Sequence, residues 1–206
     1  MIINYLGKQF FKLSQGDTVV AINPPSKDSK YKEGVSRFGA DIALVSVNHK
    51  DFNGAELLTH GDTKPFVISG PGDYEVKDIF INGVGIEAVI DGKKYINTIY
   101  SLTSADIKLT FLGALSSDIP ANLRETIQAP DILFVPVGDG NLLSPKNAYK
   151  LAVSLEPKII IPMDYDANSL KQFLKEGGEE KITPIEKLTI KKKDLEGKDA
   201  EIVVLK

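Results

Sequence analysis

Leu44-Val45-Ser46-Val47-Asn48-His49-Lys50-Asp51-Phe52-Asn53-Gly54 is the stretch around which the chain is organised. An apolar run ends here in a short polar loop, and the loop carries one of only two histidines in the protein. His49 and Asp51 are two residues apart, so on an extended backbone their side chains point the same way. Just past a buried strand, that pair is where a metallohydrolase would place ligands. Two ligands do not make a catalytic zinc site, which takes three protein ligands and a water.

Upstream, Ile2 to Leu6, Gln9 to Leu13 and Thr18 to Ile22 are short β-prone runs, punctuated by Gly7-Lys8 and Gln15-Gly16-Asp17. A polar, proline-stiffened loop follows from Asn23 and runs on to Phe38-Gly39. Ile42 to Ser46 is continuously apolar up to its serine, as expected of a strand buried on both faces. Downstream, Gly54 to Leu58 is spaced for one helical turn, Pro65 to Ser69 for a strand, and Gly70-Pro71-Gly72-Asp73 for a turn. Tyr74 to Val76, Ile79 to Ile81, Thr98 to Leu102 and Ile107 to Leu112 extend the β-rich middle, with Asp91-Gly92 as a hairpin turn.

The pattern then changes. Pro120 to Ala129 has helical spacing, with Asp118 placed to cap it. Asp131 to Val135 and Ile159 to Ile161 are buried strands, and Ser144-Pro145 opens a helix between them that Pro157 ends. Asn168 to Glu176 is a further helix, stopped by Gly177-Gly178. The tail reads as two strands around Asp194-Leu195-Glu196-Gly197, with Lys191-Lys192-Lys193 on a solvated hairpin.

At 206 residues the chain suits a single domain spanning 1–206. Its net charge of -3 offers no electrostatic case for nucleic acid or an anionic membrane. The absence of cysteine excludes disulfides, thiolate metal sites and a Cys nucleophile. The N-terminus lacks a basic region followed by an apolar one, and no apolar run approaches the ~20 residues that span a bilayer. A cytoplasmic location is the expectation. His60, in Thr59-His60-Gly61-Asp62, reads as a surface residue, which leaves a Ser/His/Asp triad poorly supported. Gly70-Pro71-Gly72 is too short for a phosphate loop, and its proline removes a donor.

The motif loop resembles the His-x-His-x-Asp-His signature of the metallo-β-lactamase superfamily. Further landmarks follow in order: Gly70-Pro71-Gly72-Asp73-Tyr74-Glu75-Val76, Asn97-Thr98-Ile99-Tyr100, Leu112-Gly113-Ala114-Leu115, Val135-Pro136-Val137-Gly138 and Ile161-Pro162-Met163-Asp164-Tyr165. Together they are similar to the small Zn-dependent hydrolase branch that includes the ascorbate-phosphate lactonases. The resemblance implies an α+β fold, a four-layer αββα sandwich with mixed sheets inside and helices outside.

The same resemblance implies a lost metal centre. Val47 and Phe52 stand where the family has histidines, Ala114 where it has the bridging aspartate, and Asp164 where it has the final histidine. Another family histidine would fall near Ile86-Glu87, and Asn23 replaces a common aspartate. His49, Asp51 and Asp164 remain as remnant metal positions. Val47 and Phe52 cannot donate a lone pair, and zinc affinity depends steeply on ligand type and count. Without a metal, nothing lowers the pKa of a water toward 7.

The expected function is therefore non-catalytic, with no catalytic residue and no cofactor. The protein would act as a binder or scaffold, as a homo-oligomer or beside an active relative. The alternative is a residual hydrolase of a lactone or phosphoester, with one weakly held divalent cation on His49, Asp51 and Asp164. A nuclease lacks support, because the chain is acidic and too short for an inserted domain. On the blander reading, His49 bonds the loop backbone, Asp51 caps the turn at Asn53-Gly54 and Asp164 caps the following helix.

Overall fold

Alternating and continuous apolar runs decide which strands lie at the centre of the molecule and which are left half-open. In a computed structural model, residues 1–32, 38–127, 129–138 and 142–206 are described. The loop expected from Asn23 to Gly39 contains residues 33–37, and the helix expected over Pro120 to Ala129 contains residue 128, all outside that set. In chain order the early strands are β1 (Ile2–Tyr5), β2 (Phe11–Gln15), β3 (Thr18–Ile22), β4 (Ile42–Leu44) and β5 (Phe66–Ile68). Then come β6 (Gly72–Val76), β7 (Ile79–Ile90), β8 (Lys93–Ser104) and β9 (Ile107–Phe111). The last part alternates: α1 (Ala121–Arg124), β10 (Ile132–Pro136), α2 (Pro145–Ser154), β11 (Ile159–Met163), α3 (Ala167–Glu176), β12 (Leu188–Thr189) and β13 (Glu201–Ile202).

Two mixed sheets result. One has the order β12-β1-β2-β3-β4-β5, and the other β13-β11-β10-β9-β8-β7-β6. In the second, β6 to β9 form an antiparallel meander, whereas β10, β11 and β13 run parallel and carry α2 and α3 as crossovers. Every residue of β10 and β11 is buried, as parallel strands covered on both faces require.

The faces of the two sheets meet in a core built from Phe11, Ile22, Leu44 and Ile68 on one side and Tyr100, Phe111, Phe134 and Ile161 on the other. Phe11 stands edge-on to Phe134, with ring centres 4.8 Å apart. On the outer face of the second sheet, Leu133, Val135 and Ile160 pack against Ala148, Leu151 and Ala152 of α2 and Phe173 of α3. On the outer face of the first, Ala21, Ala43 and Val45 are covered by Phe10 and by Ala55 and Leu58 of a single 3₁₀ turn. This is the four-layer αββα sandwich.

Several local expectations need correction. The hairpin of β7 and β8 runs for twelve residues on each strand, far beyond the apolar cores Ile79–Ile81 and Thr98–Leu102. Cross-strand pairing extends it as far as the Asp91-Gly92 turn, through Val84, Ile86, Ala88 and Ile90 on β7 and Lys93, Lys94, Tyr95 and Asn97 on β8. The first helix shrinks to Ala121–Arg124, with Pro120 at its N-terminal boundary and no side-chain cap; Asp118 instead accepts Arg124 Nη2 on both carboxylate oxygens. Ser144 caps α2 as expected, by accepting from the Asn147 N–H.

The tail is not a hairpin, because its two strands join different sheets. β12 pairs with β1, and β13 lies parallel to β11. A 3₁₀ turn at Lys192–Leu195 bridges them and buries Leu195. Lys192 is not free in solvent, since its ammonium meets the Asp131 carboxylate at 2.7 Å. Asp131 also receives the Lys158 ammonium at 2.8 Å and the Lys108 N–H at 2.9 Å. Burial raises the Asp131 pKa, but these three donors outweigh it and hold it below the usual carboxylate range.

Removing the shared carboxylate leaves two cations and an N–H facing a buried hole. Asp131→Ala is expected to destabilise the protein by about 3 kcal/mol, read from urea unfolding. Because the folded-state pKa is depressed, the carboxylate's contribution is complete above the unfolded value near ~4. It fades as pH falls through the folded value, so the wild type–variant gap should narrow on acidification.

Candidate functional site

The loops at one end of both sheets surround a cleft of about 580 Å³. Lys8, Tyr31, Asp51, Phe52, Ala114, Leu142 and Asp164 are among the residues that line it. The cleft therefore gathers positions far apart in the chain, among them two of the three ligand positions that the sequence marks as lost.

A row of buried polar side chains frames its floor. Asn23 ends β3 in the left-handed region, at φ 51°. Its Oδ1 accepts the Ser46 N–H at 2.8 Å, while its amide donates to Ser46 Oγ at 2.8 Å and to Gln9 Oε1 at 3.1 Å. Gln9 in turn donates to Asp164 Oδ2 at 2.7 Å. From the second sheet, the Thr98 N–H reaches the Ser46 carbonyl at 2.7 Å. Asn97 accepts from the Ala114 N–H and donates to the Leu112 carbonyl, both at 2.9 Å. Between those two residues lies Gly113, at φ 64°, where a Cβ would come within 2.1 Å of Asn97 Oδ1. Only glycine permits that approach.

Val47, Phe52 and Ala114 do converge, as ligands of one centre should. They converge as one buried apolar cluster, with Ile90, Tyr95 and Leu142 packed against it. Phe52 is 3% exposed and Val47 1%.

Two of the three remnant positions, His49 and Asp51, meet each other, and Asp164 is engaged elsewhere. His49 Nδ1 accepts the Asp51 N–H at 3.3 Å, and the imidazole packs edge-on to Tyr95 at 5.7 Å. The expected backbone bond of His49 is thus present. Asp51 Oδ1 accepts the Ser29 hydroxyl at 2.7 Å, a partner that links two loops and is not the turn at Asn53-Gly54. Asp164 does not cap α3; Asp166 does, accepting from the N–H groups of Asn168 and Ser169. Asp164 sits at φ 54°, and its Oδ1 takes the Lys8 ammonium at 2.7 Å.

Ile86 and Glu87 lie on β7 and line a separate groove, and Glu87 pairs with Lys94. His60 is exposed, as expected.

Lys8 is the cleft residue that the sequence reading missed. Burial works against its charge, but the Asp164 carboxylate, its hydrogen bond, Tyr31 and Asp51 together raise the pKa. The lysine therefore stays protonated. Its only sequence signal was a place in the Gly7-Lys8 turn, which says nothing of where the side chain points.

A metal centre does not fit this set of donors. Among the described residues no group of three or more His, Cys, Asp or Glu side chains could hold a metal ion. Val47, Phe52 and Ala114 offer no lone pair, and both oxygens of Asp164 are already bound. The arrangement can exclude water from its floor and present charged groups at its mouth.

Comparison with known proteins agrees with the architecture. A family model described as a beta-lactamase superfamily domain matches residues 2–164. A UPF0173 metal-dependent hydrolase of Listeria monocytogenes is 23% identical over 196 residues, covering 81% of this chain and 86% of that protein. A proposed Zn-dependent hydrolase of the metallo-β-lactamase superfamily from Thermotoga maritima superposes with TM-score 0.77 at 26% identity, covering 99% of this chain and 97% of the other. A proposed metal-dependent hydrolase of Parabacteroides distasonis shares the fold, with TM-score 0.68 and 19% identity, covering 99% of this chain and 93% of that one.

Two substitutions test the site's construction. Phe52→Ala should cost about 3 kcal/mol of unfolding free energy, measured in urea with an unchanged slope, because it hollows the apolar cluster. Asn23→Asp restores the residue type that the superfamily resemblance implies, yet it should cost about 2 kcal/mol. The Ser46 hydroxyl can turn to donate to the new carboxylate, but Gln9 Oε1 loses its donor and faces a buried anion.

Proposed function

The chain belongs to the beta-lactamase superfamily, and we propose that it is a member without a metal centre, acting by binding in or around the old cleft. In this reading residues 1–206 form one cytoplasmic domain, with no catalytic residue and no resident cofactor. The single observation that carries it is the packing of Val47, Phe52 and Ala114 into one apolar cluster. Three ligand positions replaced at once, in contact with each other, form a repacked floor. A site that had merely lost one donor would look different. The cleft itself persists above that floor, with a volume suited to a small organic ligand. Scaffolding, or association with an active relative, would use the same retained fold.

The second reading is a residual hydrolase of a lactone or phosphoester. The relatives named as metal-dependent hydrolases and the lining of the cleft by Asp51 and Asp164 favour it. It requires one hard cation held by carboxylate oxygens with water filling the remaining positions. The kinship with ascorbate-phosphate lactonases belongs to this reading.

Elemental mass spectrometry separates the two. Protein as purified, and protein soaked in zinc and manganese and then desalted, should both carry metal far below one ion per chain. Near-stoichiometric metal in either sample would overturn the binding role. Asp51→Ala or Asp164→Ala would then be expected to abolish both the metal and any turnover.

A further inference from the structure

The Asp164 carboxylate poses an electrostatic problem that a metal ion would ordinarily solve. Its side chain is 9% exposed, and one of its two oxygens is served only by the neutral amide of Gln9. An anion so placed requires a cation close by. The chain provides one from the turn between β1 and β2. Lys8 holds φ 55° there, and the turn is closed by reciprocal bonds between the Leu6 N–H and Phe10 carbonyl and between the Phe10 N–H and Gly7 carbonyl. The Lys8 carbonyl accepts the Asp164 N–H at 2.7 Å, so backbone and side chain both clamp the two residues together. The ammonium lies 4.7 Å from the Tyr31 ring centre and 6.0 Å from that of Phe52, one of the lost ligand positions. It thus occupies the ground between a surviving carboxylate and the apolar floor.

We propose that the cleft contains a site for a primary ammonium group, formed by Asp164 and the Tyr31 face, which the chain fills with its own Lys8 in place of a metal ion. The proposal rests on the reading that the metal centre is lost, and adds to it the residue that took over the charge. The site selects an ammonium for two reasons. It offers one carboxylate oxygen and an aromatic face, which suit a compact N–H donor carrying charge. A divalent ion would need several further ligands, and among the described residues no group of three or more His, Cys, Asp or Glu side chains is placed to supply them. The Lys8 stem reaches the site from a fixed turn, so no mobile ligand is needed for folding.

Chemical rescue tests this directly. Lys8→Ala keeps the Cβ, and hence the backbone strain at positive φ, while removing the four atoms that n-propylammonium replaces. The variant should melt roughly 5–10 °C below wild type. n-Propylammonium chloride at about 100 mM should restore roughly half of that loss. Tetramethylammonium chloride at equal ionic strength, which has no N–H to give Asp164 and only the Tyr31 face to meet, should restore clearly less. In Lys8→Ala/Asp164→Asn the amine should have no effect, and the double variant should melt above the single one because no unpaired carboxylate remains.

Equal recovery in the two salts, no recovery in either, or a single variant melting with wild type would overturn the proposal. Should Lys8→Ala prove insoluble, the same comparison is made on its recovery from urea with and without the amine, where equal yields would likewise overturn it. If wild-type protein takes up metal, the reading of a lost centre falls as well. If it takes up none and rescue fails, only the role of Lys8 falls.

Discussion

The chain of buried hydrogen bonds running Asp164–Gln9–Asn23–Ser46, and across the Ser46 carbonyl to the Thr98 N–H, fastens the loop ends of both sheets to each other. Each link joins a different strand end, so the cleft's shape depends on all of them at once. Neutral amides carry most of the row, and every polar atom in it that needs a partner finds one inside the protein. A buried polar network of this kind is costly when broken and specific when complete. It holds the outline of the cleft.

Val47, Phe52 and Ala114 satisfy one another by apolar contact and bring neither a lone pair nor a charge to the floor of the cleft. The Asp164 carboxylate at the cleft wall is matched by a lysine on a turn. His49 and Asp51 are retained within the loop, one through the Asp51 N–H and the other through the Ser29 hydroxyl.

A second buried carboxylate serves the fold alone. Asp131 at the start of β10 collects Lys108, Lys158 and Lys192, and so ties the tail to the parallel half of the second sheet. The tail needs this anchor because its two strands are two residues each and lie in different sheets. The ammonium groups of both ionic clusters come from Lys8, Lys158 and Lys192, all outside the strands, where a long side chain can reach inward without disturbing a strand.

The sequence by itself determined the strands with continuous apolar runs, the helices with explicit caps, and the family whose landmarks recur in order. It also determined that Val47, Phe52 and Ala114 can ligate no metal, because they have no lone pair in any conformation. Local pattern carried these because they depend on residue type and near neighbours. Tertiary structure alone decided that the three replacements touch, that Asp164 pairs with Lys8 and leaves the α3 cap to Asp166, and that the tail divides between sheets. The physical reason is sequence separation. Lys8 and Asp164 are 156 residues apart, and nothing in either neighbourhood encodes where the other will lie. The length of the β7–β8 hairpin escaped for a related reason, since its outer half is held by pairing across the turn, and Gly83 and Gly85 on β7 and Lys93 and Lys94 on β8 interrupt the apolar pattern.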